Sequence, residues 1–223
     1  MLYVVIDLEM NNVAKMFSEQ RKKCQSEIIE IGAVVLDEDL IEVGNFKTYV
    51  KPSFNTVIDR KIHQLTGIST EMVVNAPSFI EAFKMLTNYC RAFDDDLLFV
   101  EWSTSDHTQI LKEIYQKDYV MTEYEQKIMG NWHDFQHEFG ELLGLSKQIS
   151  LSDALMYAGE DFVGSQHDAL FDARNTAELF TITRIEEKKQ KTLAKVIKML
   201  HPEELKCTMG DLFDFTKIMS LVV

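Results

Sequence analysis

The sequence predicts an α/β domain built on a mixed sheet, with three antiparallel strands, then a parallel one, and helices on its flanks. Three observations predict it. The chain opens on a short run rich in Val, Ile and Tyr, Leu2-Tyr3-Val4-Val5-Ile6, the pattern of a buried strand. Two further β-rich runs, 27–36 and 41–50, are joined by the turn signal Asp37-Glu38-Asp39, so the first three strands form a meander. A helical stretch then precedes the apolar run Leu97-Leu98-Phe99-Val100, and a helix between two strands implies a parallel crossover.

At 223 residues and 46% hydrophobic content, the chain can bury a proper core. It contains no linker or low-complexity tract, and only Pro52, Pro77 and Pro202 interrupt it. The net charge of −13 excludes a protein that coats nucleic acid through a broad basic surface, though not an enzyme that holds one strand end. Cys24, Cys90 and Cys207 are odd in number and widely spaced, which fits reduced thiols. With no basic leader and no apolar run near the roughly 18 residues of a membrane span, a soluble cytoplasmic protein is expected.

The first strand ends in Asp7-Leu8-Glu9-Met10. Residues i and i+2 of a strand share a side, so Asp7 and Glu9 leave the sheet together. Two ionised acids at the end of a core strand repel each other and lose hydration, and a hard divalent cation relieves both costs. Alone, such a pair more often marks a strand running out into solvent. Asn11 to Gln25 is polar and holds Arg21-Lys22-Lys23, which suits a solvated loop or one that contacts phosphate. Pro52 stops the third strand, and residues 53–76 read as loop and short helix. Ser78 with Glu81 is a capping-box pattern opening a helix to about Phe93.

Asp106 falls where the fourth strand hands over to a helix, with Thr104 or Ser105 able to cap it. Beyond the helix expected near 106–117 the pattern reads as helical, with a short segment around 129–135 and helices near 135–143, 151–157 and 169–189, the last starting at Asp168 with Ala169, Ala173, Ala177 and Phe180 on one stripe. His167 and Asp172 lie five apart, about 140° out of phase on a helix. They converge only if His167 lies on the entry loop and Asp172 in the first turns. Residues 186–223 read as a helical extension packed on the core, its apolar tail a weaker candidate for self-association.

The order Asp-x-Glu, Asp, then His-x4-Asp resembles the motifs of the DEDD superfamily of 3′→5′ exonucleases in its histidine-containing (DEDDh) branch. Further matches are "EIIEIGAVVLD", "HQLTGI" and "QHDALFDARNTAELF", while "NWHDFQ" and "FVEWSTSD" lean toward the histone-mRNA exonuclease and sporulation-inhibitor exonuclease subgroup. The resemblance covers residues 1 to about 185. It implies an RNase H-like α/β fold on a mixed five-stranded sheet, three antiparallel strands then parallel ones, with Asp7, Glu9, Asp106 and Asp172 holding two Mg²⁺ or Mn²⁺ ions and His167 as general base. It also implies that Met10, His63, Leu65 and Thr66 seat the terminal nucleotide of a single-stranded 3′ end, RNA more than DNA. A proofreading-type DNA exonuclease and a non-catalytic nucleic-acid-binding module are the alternatives. Met10 after the second acid and His107 beside Asp106 depart from the family pattern.

Overall fold

The sheet is built outward from its first strand, the 11-residue Leu2–Asn12. The computed structural model describes residues 1–200. In chain order these form β1 (Leu2–Asn12), α1 (Ser18–Lys23), β2 (Ser26–Leu36), β3 (Glu42–Tyr49), α2 (Arg60–Thr66), α3 (Thr70–Val73), α4 (Phe79–Arg91) and β4 (Leu97–Glu101). There follow α5 (Ser105–Gln116), α6 (Glu123–Met129), β5 (Trp132–Asp134), α7 (Phe135–Leu143), α8 (Leu151–Ala158), α9 (Ala169–Arg184), α10 (Glu186–Thr192) and α11 (Ala194–Leu200). The strand order is β3-β2-β1-β4-β5. The β1–β2 and β2–β3 pairs are antiparallel, and the β1–β4 and β4–β5 pairs are parallel. This is the mixed sheet that the sequence predicts.

Alternation along β1 divides the core. Val4, Ile6 and Leu8 pack with Phe79, Phe83 and Leu86 of α4 and Ile110 and Ile114 of α5 on one face. Val5, with Val34 and Val100, packs against Phe135, Phe139, Leu155, Ala173 and Phe180 of α7, α8 and α9 on the other. Asp7 and Glu9 continue the Val5 side, so the α9 face carries both acids past the edge of the apolar core.

Several boundaries differ from expectation, and Trp132–Asp134, expected within a helical stretch, instead pairs with β4 as the fifth strand. β1 extends past Met10 to Asn12, and the polar segment after it contains α1. The basic trio there is engaged locally: Arg21 Nη1 donates to the Val13 carbonyl at 2.8 Å, Lys22 pairs with Glu19 at 2.7 Å, and Lys23 lies over the Tyr115 ring. α4 opens as predicted, Glu81 accepting the Ser78 N–H at 2.8 Å. At α5, however, Thr104 occupies the cap position without a side-chain bond, and the Glu101 carboxylate instead accepts the His107 N–H at 2.8 Å.

The late helix ends at Arg184 and not near 189. Thr181, Ile182, Thr183 and Ile185 are β-branched and stiff in a helix, and Ile185 turns extended (φ −94°, ψ 108°) before α10 begins. Leu193 is buried, with Val196 and Ile197 packed beside it, against the α7–α9 side of the core. The apolar end Leu221-Val222-Val223, Cys207 and His201 lie outside the described residues. Among the described residues, no helix is long and apolar enough to cross a membrane.

Candidate active site

Sheet register assembles the first part of the site. Two rows cross three strands on the α9 face: Asp7 opposite Gly32 opposite Lys47, and Glu9 opposite Glu30 opposite Tyr49. Gly32 carries a specific duty in this arrangement. A Cβ there would stand 2.2 Å from the backbone of Ala169 and Leu170, so only glycine lets the start of α9 lie directly on β2. The remaining acids come from helix starts. Asp106 lies in the first turn of α5, just beyond β4, and Asp172 in the first turn of α9, and both are buried.

The turn into α9 solves the spacing of His167 and Asp172. His167 adopts a left-handed backbone (φ 62°), and its N–H donates to Asp172 Oδ2 at 3.0 Å. Asp168 then caps the helix, its Oδ1 accepting the N–H groups of Leu170 and Phe171 at 3.2 and 3.3 Å. His167 is thus outside the helix and Asp172 inside it, as the sequence requires for convergence. His167 Nδ1 stands 3.9 Å from Glu9 Oε1, and Glu9, His167 and Asp172 offer ligand atoms that all lie within 4.8 Å of one another.

These groups share an open cleft of about 490 Å³, lined also by Met10, Trp102, Ser103, Ser105, Ser150, Phe162 and Gln166. Its electrostatics are those of crowded buried carboxylates. Burial, then Asp106, Asp172 and Glu9, hold the Asp7 carboxyl well above the usual range. Burial, then Glu101, Glu9 and Asp172, do the same to Asp106. Glu9 is pushed up to about 8 by burial and by Asp172 and Glu30, and Asp172 to about 6, by burial first and then Asp168 and Glu30, against the lowering His167 N–H bond. Hard oxygen donors that repel one another this strongly suit divalent cations such as Mg²⁺ or Mn²⁺, which neutralise the set and displace its protons.

Of the four residues expected at the terminal nucleotide, Met10 lines the cleft, reached through a register shift between Glu9 and Met10 in the β1–β2 ladder. His63, Leu65 and Thr66 do not line it. His63 Nδ1 is 3.0 Å from the Ile68 carbonyl oxygen and faces a neighbouring hollow with Asp59, Arg60 and Thr70. Leu65 is exposed. Thr66 spends its hydroxyl on the turn itself, donating to the Ile62 carbonyl and accepting the Ile68 N–H, both at 3.0 Å. This segment nonetheless hangs from the end of β1, because Asn11 Oδ1 accepts the Asp59 N–H at 3.0 Å and its Nδ2 donates to the Val57 carbonyl at 3.1 Å. His107 stacks on Trp132, and Trp102 packs on Phe135 and Phe139.

Sequence reasoning missed Glu30, Gly32 and Lys47. The available signal was one acid and one glycine two residues apart inside the otherwise apolar Ile28 to Leu36 run.

The model of the exonuclease (RNase_T) family matches residues 4–180. ERI1 exoribonuclease 2 of Danio rerio is 29% identical over 182 residues, which cover 71% of this chain and 32% of that protein. 3′-5′ exoribonuclease 1 of Homo sapiens is 24% identical over 162 residues, covering 69% of this chain and 45% of that protein. The chain therefore spans less than half the length of these curated relatives. Among solved structures, the nuclease domain of 3′hExo, a DEDDh family member bound to rAMP, superposes with a TM-score of 0.70 at 21% identity, over 82% of this chain and 92% of the other. The Mg²⁺- and Mn²⁺-bound form of S. pombe Pop2p gives 0.62 at 18% identity, over 83% and 84%. The fold is accordingly the RNase H-like one of these nucleases, and the chain belongs to the exonuclease family.

Proposed function

We propose that this chain is a divalent-metal-dependent 3′→5′ exonuclease that removes nucleoside 5′-monophosphates from single-stranded 3′ ends, with RNA favoured over DNA. The observation that carries this reading is the convergence of Asp7, Glu9, Asp106 and Asp172 with His167 on one open cleft. Family membership supports it, and the names of the relatives, exoribonucleases, favour RNA. The nuclease unit is taken as residues 1–185, with 186–223 appended to it. The buried free thiols of Cys24 and Cys90 suit a reducing compartment such as the cytoplasm.

In this reading the four acids would hold two Mg²⁺ or Mn²⁺ ions, which when bound would supply Lewis-acid stabilisation to phosphodiester hydrolysis. The chain's own part begins with rigidity: Asp7 and Glu9 project from the central strand, and Asp106 and Asp172 from first helical turns. His167 is the general base. Its ring is 45% exposed and can meet a water, while its backbone is tied to Asp172, so base and ligand move as one turn. A neutral imidazole is well matched to taking a proton near neutral pH. As the water oxygen bonds to phosphorus, the phosphorus–O3′ bond breaks, leaving a nucleoside 5′-monophosphate and a new 3′-hydroxyl. Met10 is assigned to the terminal nucleotide by its place on the cleft wall, and His63, Leu65 and Thr66 by the resemblance of the HQLTGI segment alone.

Matched 5′-labelled RNA and DNA oligomers with free 3′-hydroxyls, incubated with Mg²⁺ or with EDTA, test the proposal. Stepwise shortening is expected with Mg²⁺, faster on RNA, and none with EDTA or in Asp7→Asn. Retention of RNA in Mg²⁺ without shortening would make the chain a binding module, and faster loss of DNA would make it a DNA exonuclease.

A further inference from the structure

The start of α9 brings two functional groups to the cleft, and a side chain from the third strand holds that start in place. Lys47 Nζ lies 2.6 Å from Asp168 Oδ2 and 3.1 Å from Glu30 Oε1. Glu30 uses its other oxygen to accept the Ala169 N–H at 2.9 Å, and Asp168 uses its other oxygen to cap Leu170 and Phe171. Three consecutive amides of the first turn of α9 are therefore held by two carboxylates, and both carboxylates by one ammonium. Among the described residues, Lys47 is the only lysine or arginine within ion-pair distance of any acid in the set Asp7, Glu9, Glu30, Asp106, Asp168 and Asp172. Its neighbour across the ladder, Gly32, is the residue whose missing side chain admits the α9 backbone.

We propose that Lys47 is a positioning residue of the exonuclease site. Clamped between Glu30 and Asp168, it seats the first turn of α9 on β2 and so keeps His167 and Asp172 in register with Asp7 and Glu9. Without it Glu30 and Asp168, both close to other acids, face each other uncompensated and the cap is pushed off the strand. Lys47 touches neither substrate nor reacting atoms in this account. The activity half of the argument rests on the proposed function, while the clamp itself does not.

The test combines amide hydrogen exchange with steady-state kinetics on an RNA oligomer, comparing Lys47→Ala and Lys47→Arg with the parent chain. In Lys47→Ala the Ala169, Leu170 and Phe171 amides should exchange roughly tenfold faster, as expected for a lost helix cap, with the β1–β2 ladder unchanged. The kcat should fall roughly 10–100-fold, the usual range for residues that orient metal ligands, with little change in KM. Lys47→Arg, which keeps the charge and can bridge both acids, should recover both. Unchanged exchange in Lys47→Ala overturns the clamp whatever happens to kcat, and accelerated exchange with unchanged kcat overturns its role in the site. A parent chain inert on RNA would sink the RNA-exonuclease reading alone, because exchange still decides whether Lys47 holds the turn.

Discussion

Replacing Glu9 with glutamine should stabilise the metal-free protein while removing its activity. Glu9 is 8% exposed, and burial together with Asp172, Glu30 and Asp168 lifts its carboxyl from 4.5 to about 8. An acid raised in this way contributes stability that is fully present below its unfolded pKa and is lost as pH rises through its folded one. Between about 4.5 and 8 the loss accumulates at about 1.36 kcal/mol per pH unit, on the order of 4–5 kcal/mol by pH 8. Glutamine keeps the shape without the charge, but its new N–H donors need partners in a buried place, so a net gain of about 2 kcal/mol is expected. For a chain of this length that corresponds to a rise in melting temperature of about 4–8 °C.

The assay is thermal unfolding in EDTA at pH 5 and pH 8. At pH 5 wild-type Glu9 is protonated in the folded state, and the variant has little advantage; at pH 8 it should melt clearly higher. Adding Mn²⁺ at pH 8 should reverse the order, because the cation binds the complete carboxylate set and drives off its protons. A variant that melts no higher than wild type at pH 8 in EDTA, or higher by the same margin at both pH values, would refute the reasoning.

His167→Ala should leave Mn²⁺ binding measurable by calorimetry while lowering turnover roughly 10²–10⁴-fold, and unchanged turnover would remove His167 from the mechanism. Asp172→Asn should abolish shortening of RNA with the fold retained by circular dichroism; full activity would sink the metal-site assignment. Metal affinity should rise from pH 6 to pH 8 as Glu9, raised to about 8, and Asp172, raised to about 6, give up their protons, with proton release visible in buffers of different ionisation enthalpy. Gly32→Ala forces a methyl to within 2.2 Å of the α9 backbone and should cost on the order of 1–3 kcal/mol or more in urea unfolding, with activity falling alongside.

The residues that could be read from the sequence obey local rules. Asp7 and Glu9 share a side because strands alternate, Asp168 caps because of its chemistry and position, and His167 had to leave the helix because five residues do not close a turn. Glu30 and Lys47 obey no local rule. Each acquires meaning only through register: Glu30 lies opposite Glu9, and Lys47 reaches both Glu30 and Asp168 only because Gly32 is its cross-strand partner. The end of α9 was misjudged for a related reason. Its sequence stays polar and helix-compatible to residue 189, and the break comes from a cluster of β-branched residues against the core. The placement of His63 and Thr66 was the least legible, because Thr66 serves its own turn and the segment is held by Asn11, beyond the predicted end of the first strand.

The crowding of carboxylates in the cleft also fixes an order of assembly. A polyanion approaching a chain of net charge −13 meets a concavity lined by Asp7, Glu9, Asp106 and Asp172, and long-range repulsion slows that encounter most at low ionic strength. Cation loading reverses the local sign. Under the proposed function ions would enter first and RNA second, and the dependence of RNA association on free Mg²⁺ should be steeper than that of catalysis once the strand is seated. Under the proposed function, lowering free Mg²⁺ would weaken strand capture at the mouth of the cleft before it slows the cutting.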